Sequence, residues 1–397
     1  MPNSVRQRPN WKHEPKDKML KVIFAATPPL ACPGLDALHQ LDRQGHIQLC
    51  AVLTQADRPA GRKRLLQPSA IKARALELDI QARHILGPEK LDAALCRQVE
   101  ELEPDLLVVF AYGKIFRPNF LSIFPLGGIN LHPSTLPQWR GPSPIEAQLL
   151  SGTEQLGLSL QRIAAEMDAG DILEQQLHPL PLAADYFTAA ELVSQQGAHL
   201  LRTVCEQIAR SGSDYLQSAR PQQHDQATYC RLIQKEDGRI DWQNSALQIS
   251  RQCRAYAAWP KAHTWLPWQT ETGSEEQQIN ILQAEEWQPS EPEREALSRY
   301  TERKPASPGD LLALHPQAGL LIVCGQGQNQ GQSILAVKRL QRQSRNASSA
   351  KEFANQLQSR PEKCNDKTRP NLPKWGRPES PDIPTDISRH RFSNIPS

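Results

Sequence analysis

Asn130 and His132 stand two residues apart in the run Asn130-Leu131-His132-Pro133-Ser134-Thr135-Leu136-Pro137-Gln138-Trp139-Arg140-Gly141. Side chains alternate faces along a strand, so this pair presents an amide and an imidazole on one side while Ile129 and Leu131 turn into a core. The apolar run Ile123-Phe124-Pro125-Leu126-Gly127-Gly128-Ile129 reads as the buried strand, entered through its glycine pair. Pro133 cannot donate to a ladder and ends the strand directly after the histidine. An amide NH₂ can donate to a developing oxyanion, and an imidazole can donate a second bond or pass a proton. Asp168, in Met167-Asp168-Ala169-Gly170-Asp171, offers the carboxylate that such chemistry needs, while Asp171 reads as structural. A lone Asn-x-His pair is more often a satisfied structural pair. The linked run and the acidic turn together carry the functional reading.

Apolar runs at 21–26, 47–54, 105–110 and 128–132 read as strands, with helical stretches at 69–78 and 91–101 between them. Two further strands, 157–163 and 172–177, and a helix over 188–208 follow. This alternation implies an α/β domain with a mostly parallel, doubly wound sheet, whose ligands bind outside the carboxyl ends of the strands. The first strand runs into Ala25-Ala26-Thr27-Pro28-Pro29 with no Gly-x-Gly-x-x-Gly, so no nicotinamide cofactor is expected. Residues 1–19 are expected to be a disordered extension, 20–211 the catalytic domain, 212–227 a polar linker, 228–356 a second domain, and 357–397 a disordered tail. Short strands with turn signals in the second domain suggest a small barrel.

The 397 residues have room for two domains, and 39% hydrophobic with 22% charged residues is an ordinary soluble balance. A net charge of +3 rules out a polycation, so contact with nucleic acid must come from a local patch. The segment 57–64 is such a patch, with Arg58, Arg62, Lys63 and Arg64 against Asp57 alone. The eight cysteines form no Cys-x-x-Cys pair and have no histidine cluster near them, which argues against zinc and against a disulfide framework. No metal and a reducing, cytoplasmic home are expected. No apolar run of 18 residues exists to span a membrane, and the polar first 19 residues lack the apolar region of a secretory signal. Their acids and prolines also argue against a mitochondrial presequence.

Asn-x-His, Ser-x-Leu-Pro and Arg-Gly in one run, with the Asp-x-Gly-Asp turn beyond it, resemble the signature of the 10-formyltetrahydrofolate-dependent formyltransferases. The similarity narrows to the branch of that family acting on initiator methionyl-tRNA. It rests on Thr54-Gln55-Ala56-Asp57-Arg58-Pro59-Ala60-Gly61-Arg62, on Phe110-Ala111-Tyr112-Gly113, and on Ile240-Asp241-Trp242, Arg254-Ala255-Tyr256, Trp259-Pro260 and Pro308-Gly309. It runs from roughly residue 20 to 356. Departures are mild: Ala26 replaces a usual Gly, Pro29 a usual acid, Thr135 a usual Leu, and Lys63-Arg64-Leu65 a common Gly-Lys-Lys. The nine glutamates between Glu271 and Glu302 are more than is usual, and a solvated loop turned away from RNA is expected there.

The resemblance implies a Rossmann-like catalytic domain followed by an OB-like barrel domain that helps hold tRNA, and formyl transfer from 10-formyltetrahydrofolate to the amino group of methionine on initiator tRNA. Asn130 is then the oxyanion donor. His132 either donates to that oxyanion or protonates the departing nitrogen. Asp168 either accepts from His132 and fixes its tautomer, or takes the amine's proton through water. Ser134, Thr135, Leu136 and Pro137 shape one wall of the folate pocket, and Phe110, Tyr112 and Gly113 line it. Arg58, Arg62, Lys63 and Arg64 meet tRNA phosphates, with Arg62 foremost. Arg140 holds its loop or reaches the tRNA end. A monomer is expected. Two rivals stand beside this reading: a same-fold formyltransferase acting on a small amine or sugar nucleotide, and a catalytically silent tRNA-binding module. The first should lack both the basic loop and the second domain; the second should have lost Asn130, His132 or Asp168.

Overall fold

The computed structural model describes residues 19–60, 65–270, 273–303, 305–327 and 331–358. The chain divides into two compact units. One holds most residues up to Leu232; the other runs from Ile233 and takes in Leu149–Thr153 and Leu182–Phe187.

Among the described residues the first unit is built on nine strands: β1 Leu20–Ala26, β2 Ile47–Leu53, β3 Arg58–Ala60, β4 Leu65–Gln67, β5 Ile85–Leu86, β6 Leu106–Phe110, β7 Gly128–His132, β8 Gln155–Arg162 and β9 Ile172–Pro179. Its helices are α1 Cys32–Arg43, α2 Ala70–Glu77, α3 Ala93–Glu100, α4 Pro118–Leu121, α5 Pro144–Ser151 and α6 Tyr186–Ser211. Ser69 caps α2 by accepting from the Lys72 amide, and Asp92 caps α3, which places those helix starts slightly inside the expected ranges. The main sheet has the order β5-β2-β1-β6-β7-β8-β9. It is parallel through β7, as continuous apolar runs such as LKVIFAA and LLVVF require when both faces are covered. β8 and β9 then run antiparallel, so β7 is the last parallel strand.

On one face Phe24, Phe110, Leu131 and Leu201 crowd the α-carbons of Gly34 in α1 and Gly197 in α6. On the other, Ile23, Ala25, Leu107 and Val109 pack with a stack of rings, Tyr112–Phe116–Phe120–Phe124, at centroid spacings of 5.1, 5.3 and 5.7 Å. Of the apolar run 123–129, the first part is a turn after α4, closed by Gly127 at φ 74°, and the strand begins only at Gly128.

Residues 212–227, expected to be a linker, are folded into the first unit. They carry the short helix α7 Ser213–Gln217, and Arg220 exchanges two backbone hydrogen bonds of 2.8 Å with Ile172. Their polarity serves buried hydrogen bonds as well as solvent: Gln222 is only 5% exposed.

The second unit holds β10 His263–Thr270, β11 Gly273–Glu286, β12 Leu311–His315, β13 Gly319–Gln326, β14 Gln332–Arg342 and β15 Ala347–Ser349. They pair antiparallel in the order β10-β11-β14-β13-β12, with β15 beside β14. Helix α8 Ala246–Ala255 starts at a Ser245/Gln248 capping box, and α9 Glu291–Arg303 and α10 Ala350–Gln358 follow. The core gathers Trp242, Ile249, Leu266, Ile281, Leu335 and Phe353. No pairing among the described residues joins β10 to β12, so the arrangement is an antiparallel sheet with helices rather than a closed barrel. Glu271 lies outside the described residues, and from Gly273 on the acidic stretch is not simply a loop. It forms β11 and α9, and its charges are partly spent: Glu285 meets Lys338 at 2.7 Å, and Glu293 accepts from His315 at 3.0 Å and from Ser290.

Candidate active site

β7 lies between β6 and β8, with Asn130 opposite Val109 on one side and Gln161 on the other, and His132 opposite Ser159. Leu131 presses on Gly197 of α6, so Asn130 and His132, of opposite parity, emerge from the other face of the sheet. Asp168 reaches the same point from the β8–β9 turn, where its own φ is 52°. Short polar side chains tolerate that left-handed conformation better than most. Gly170 lets the turn close, because a β-carbon there would collide with the carbonyl of Arg162. Gly170→Ala should therefore cost about 1–3 kcal/mol of stability, the scale of an overpacked site. Urea unfolding checks this; an unchanged midpoint would show that the turn can yield.

The Asp168 carboxylate is the hub. Oδ2 accepts from the Gly141 amide at 2.9 Å, and Oδ1 accepts from Gln161 Nε2 at 3.1 Å and, at 3.5 Å, from Asn130 Nδ2. His132 Nδ1 lies 3.6 Å from Oδ2, beyond a hydrogen bond. The imidazole is instead oriented by the Trp139 carbonyl, 2.9 Å from Nε2. A carbonyl can only accept, so the ring proton sits on Nε2, and the Nδ1 lone pair faces the carboxylate. The tautomer is thus set by Trp139, not by Asp168.

Burial lowers the His132 pKa from the ordinary 6.5, outweighing the attraction of Asp168 and the Trp139 hydrogen bond. The unfolded chain then binds more protons than the folded one below about pH 6.5, so stability is lost as pH falls through that value toward the depressed folded pKa. Denaturant unfolding between about pH 5 and 7.5 should show this slope, and His132→Asn should flatten it. A slope untouched by that substitution would assign the titration elsewhere.

Three non-glycine residues around the site, Ala111, Trp139 and Asp168, have φ of 51°, 59° and 52°. Such conformations cost about 1–3 kcal/mol each and persist only when neighbours hold them. Trp139 is held through its amide, which donates to Thr228 Oγ1 at 2.9 Å, and its successor Arg140 exchanges backbone bonds with Thr228 and Cys230.

Ser134 and Leu136 are buried, and their polar groups are engaged by the loop itself and by β8 and β9. Ser134 Oγ donates to the Gln138 carbonyl, Ser159 Oγ donates to the Ser134 carbonyl, and Gln175 Nε2 donates to that of Leu136. Thr135 and Pro137 remain half-exposed. The Phe110 and Tyr112 rings, expected to line a pocket, are buried on opposite faces of the sheet, leaving Ala111 and Gly113 at the surface. Arg140, offered by the sequence either to the loop or to tRNA, is 1% exposed. Its guanidinium donates twice to Gln222 Oε1, at 2.7 and 3.1 Å, and contacts His224 Nδ1 at 3.0 Å and the Tyr229 hydroxyl at 3.4 Å. A guanidinium so spent holds the loop and is not presented to a phosphate. Arg58 is exposed and donates to Gln55, while Asp57 is paired with Lys72 at 2.8 Å. Arg62, Lys63 and Arg64 lie outside the described residues. Among the described residues no group of three or more His, Cys, Asp or Glu could hold a metal ion, and no helix is long and apolar enough to cross a membrane.

Sequence reading did not single out Gln161 and Gln222. The alternation of β8, which puts Ser159 and Gln161 on the face of their partners His132 and Asn130, is a signal for the first. Nothing local announces the second.

Residues 20–204 match the formyl transferase family, and residues 232–358 the formyl transferase C-terminal domain. The chain is 35% identical over 341 residues to a methionyl-tRNA formyltransferase of Treponema denticola, covering 85% of this chain and 96% of that one. It is 40% identical over 247 residues to that of Chloroflexus aggregans, covering 62% and 76%. Among solved structures, an N-formyltransferase from Helicobacter canadensis in complex with folinic acid and dTDP-3-aminofucose superposes with a TM-score of 0.52 at 15% identity, over 80% of this chain and 99% of that one, a likeness of fold. The chain belongs to the methionyl-tRNA formyltransferase family.

Proposed function

We propose that this protein transfers the formyl group of 10-formyltetrahydrofolate to the amino group of methionine on initiator tRNA, using Asn130, His132 and Asp168. The observation that carries the reading is the meeting of these three groups at the carboxyl end of β7, where among the described residues the Asn130 amide is held by a 3.5 Å contact to Asp168. In the reaction the methionyl nitrogen bonds to the formyl carbon and the bond from that carbon to folate N10 breaks. The incoming amine loses a proton and N10 gains one. Asn130, with an uncommitted N–H, donates to the oxyanion of the tetrahedral intermediate. His132 enters neutral, and its Nδ1 lone pair beside Asp168 is where a proton is taken up as imidazolium. The carboxylate stabilises that cation, and the imidazolium then gives the proton to the leaving nitrogen. Thr135 and Pro137, with the exposed backbone of Ala111 and Gly113, form the folate wall. Ser134, Leu136, Phe110 and Tyr112 support it from behind.

Formylation of charged initiator tRNA by purified protein and 10-formyltetrahydrofolate tests the reading. Activity confined to a small amine or an amino-sugar nucleotide would favour the rival that the Helicobacter canadensis likeness represents. The second unit is read as an OB-like tRNA-contacting domain, and the protein as a cytoplasmic monomer, which sedimentation checks. No metal is needed for the chemistry: dialysis against a strong chelator should leave formylation intact once magnesium for the RNA is restored, and stoichiometric zinc essential to turnover would overturn this.

Arg58, Arg62, Lys63 and Arg64 are assigned to phosphate contacts on the acceptor side. Arg62→Ala should weaken use of charged tRNA by about 1–3 kcal/mol, the worth of a charge-assisted bond, and reduce its salt dependence. The apparent constant for folate should hardly move. The opposite pattern would place the loop at the donor pocket.

A further inference from the structure

We propose that Gln222 is a positioning residue for Asp168. The inference rests on the catalytic reading above but concerns a residue outside its chemistry, carried by the segment that follows the last helices of the first unit. One end of the Gln222 side chain is fixed by Arg140, whose Nε and Nη2 both donate to Oε1 at 3.1 and 2.7 Å. Its amide is thereby turned the other way. Nε2 donates to the backbone carbonyls of Asp168 at 2.9 Å and Gly170 at 2.7 Å, and more weakly to Gln161 Oε1 at 3.2 Å.

Each of these bonds acts on the carboxylate. The first two clamp the turn on both sides of Asp168's left-handed backbone, a conformation that the neighbours must enforce. The third fixes the Gln161 amide so that its NH₂, and not its oxygen, faces Asp168 Oδ1 at 3.1 Å. Arg140 immediately precedes Gly141, whose amide holds Oδ2. Both carboxylate oxygens therefore trace back to the Arg140–Gln222 pair. The environment is closed, with Arg140 at 1%, Gln161 at 2% and Gln222 at 5% exposure, so water does not replace a lost bond easily.

The test uses the full chain with Gln222→Met, which keeps the length and volume but none of the hydrogen bonds. Gln222→Glu is the second variant: it keeps the acceptor for Arg140 and sets an oxygen against two carbonyls. Turnover of tRNA formylation should fall about 10- to 100-fold in either, as for a group displaced by a fraction of an ångström to an ångström. Apparent KM for folate and for charged tRNA should stay within about threefold, because no substrate contact is removed. The Gln161→Met/Gln222→Met double variant should lose less than the product of the two single losses. Amide exchange in 164–172, which needs no substrate, should quicken about tenfold or more in the variants, the response to loosening that turn. Turnover within threefold of wild type, or unaltered exchange in 164–172, would overturn the proposal. So would losses that track a fall in folded fraction alone. If Gln222→Met does not fold, the same readings on Gln222→Glu decide. A wild-type protein that formylates no tRNA would count against the functional reading, whereas the exchange measurement would still judge Gln222.

Discussion

His132→Ala is expected to lower the turnover of methionyl-tRNA formylation by about 10²–10⁴ while leaving both apparent KM values close to those of the wild type. The ring is 4% exposed, neutral by burial, and pinned through Nε2 to the Trp139 carbonyl. Nδ1 is thus the one basic nitrogen available. It faces Asp168 Oδ2 across 3.6 Å, a gap that a proton would draw shut. Before reaction the pair holds a lone pair against a carboxylate; in the proposed reaction, when the amine's proton arrives, the same pair becomes an ion pair in a water-poor site. That difference between ground and transition state is what accelerates a step. Removing the ring abolishes it. The fold should survive, since Asp168 keeps the Gly141 and Gln161 donors. Single-turnover formylation under saturating folate reads the chemical step directly. A loss below about tenfold, outside the range for a positioned acid–base group, would reduce His132 to a structural role.

The strand end and the turn were legible because their signals are local. Alternation along Asn130-Leu131-His132, the stop at Pro133 and the small residues of Asp168-Ala169-Gly170 each constrain the backbone within a few residues, and the structure brings the three side chains together around Asp168. What was not legible depends on residues far apart in sequence. The tautomer of His132 is set by a backbone carbonyl whose residue, Trp139, has φ 59° and donates its amide to Thr228, 89 residues away. For Arg140 the sequence left both the loop and the tRNA end open, because its partners Gln222 and His224 lie in a stretch whose polarity imitates a linker. The same blindness applies to Phe110 and Tyr112, since a buried strand end and a pocket wall have the same composition. Direction was not legible for the strands after β7: they carry the alternation of an exposed edge as well as that of a parallel strand, and only pairing decides it.

Asn130→Ala should cost about 10²–10³ in turnover, the scale of losing one oxyanion-hole donor. Asn130 differs from its neighbours in how little it is committed. Gln161 is tied at both ends of its amide, and His132 is oriented by a carbonyl; among the described residues Asn130 has one side-chain contact, at 3.5 Å, to Asp168 Oδ1. A donor so loosely held can turn to an oxygen whose negative charge exists only in the tetrahedral intermediate, and it costs the ground state almost nothing to do so. The substitution should therefore lower kcat and kcat/KM together, with folate binding nearly unchanged. Stability should change by less than about 1 kcal/mol, because the bond removed is long and the residue half-exposed. Asn130→Asp sharpens the argument: it preserves size and shape but replaces a donor by an acceptor and sets a second carboxyl beside Asp168. It should be at least as damaging as alanine. If Asn130→Asp retained most activity, or if Asn130→Ala raised KM for folate while sparing kcat, the amide would serve substrate binding and the oxyanion would have to be stabilised from elsewhere.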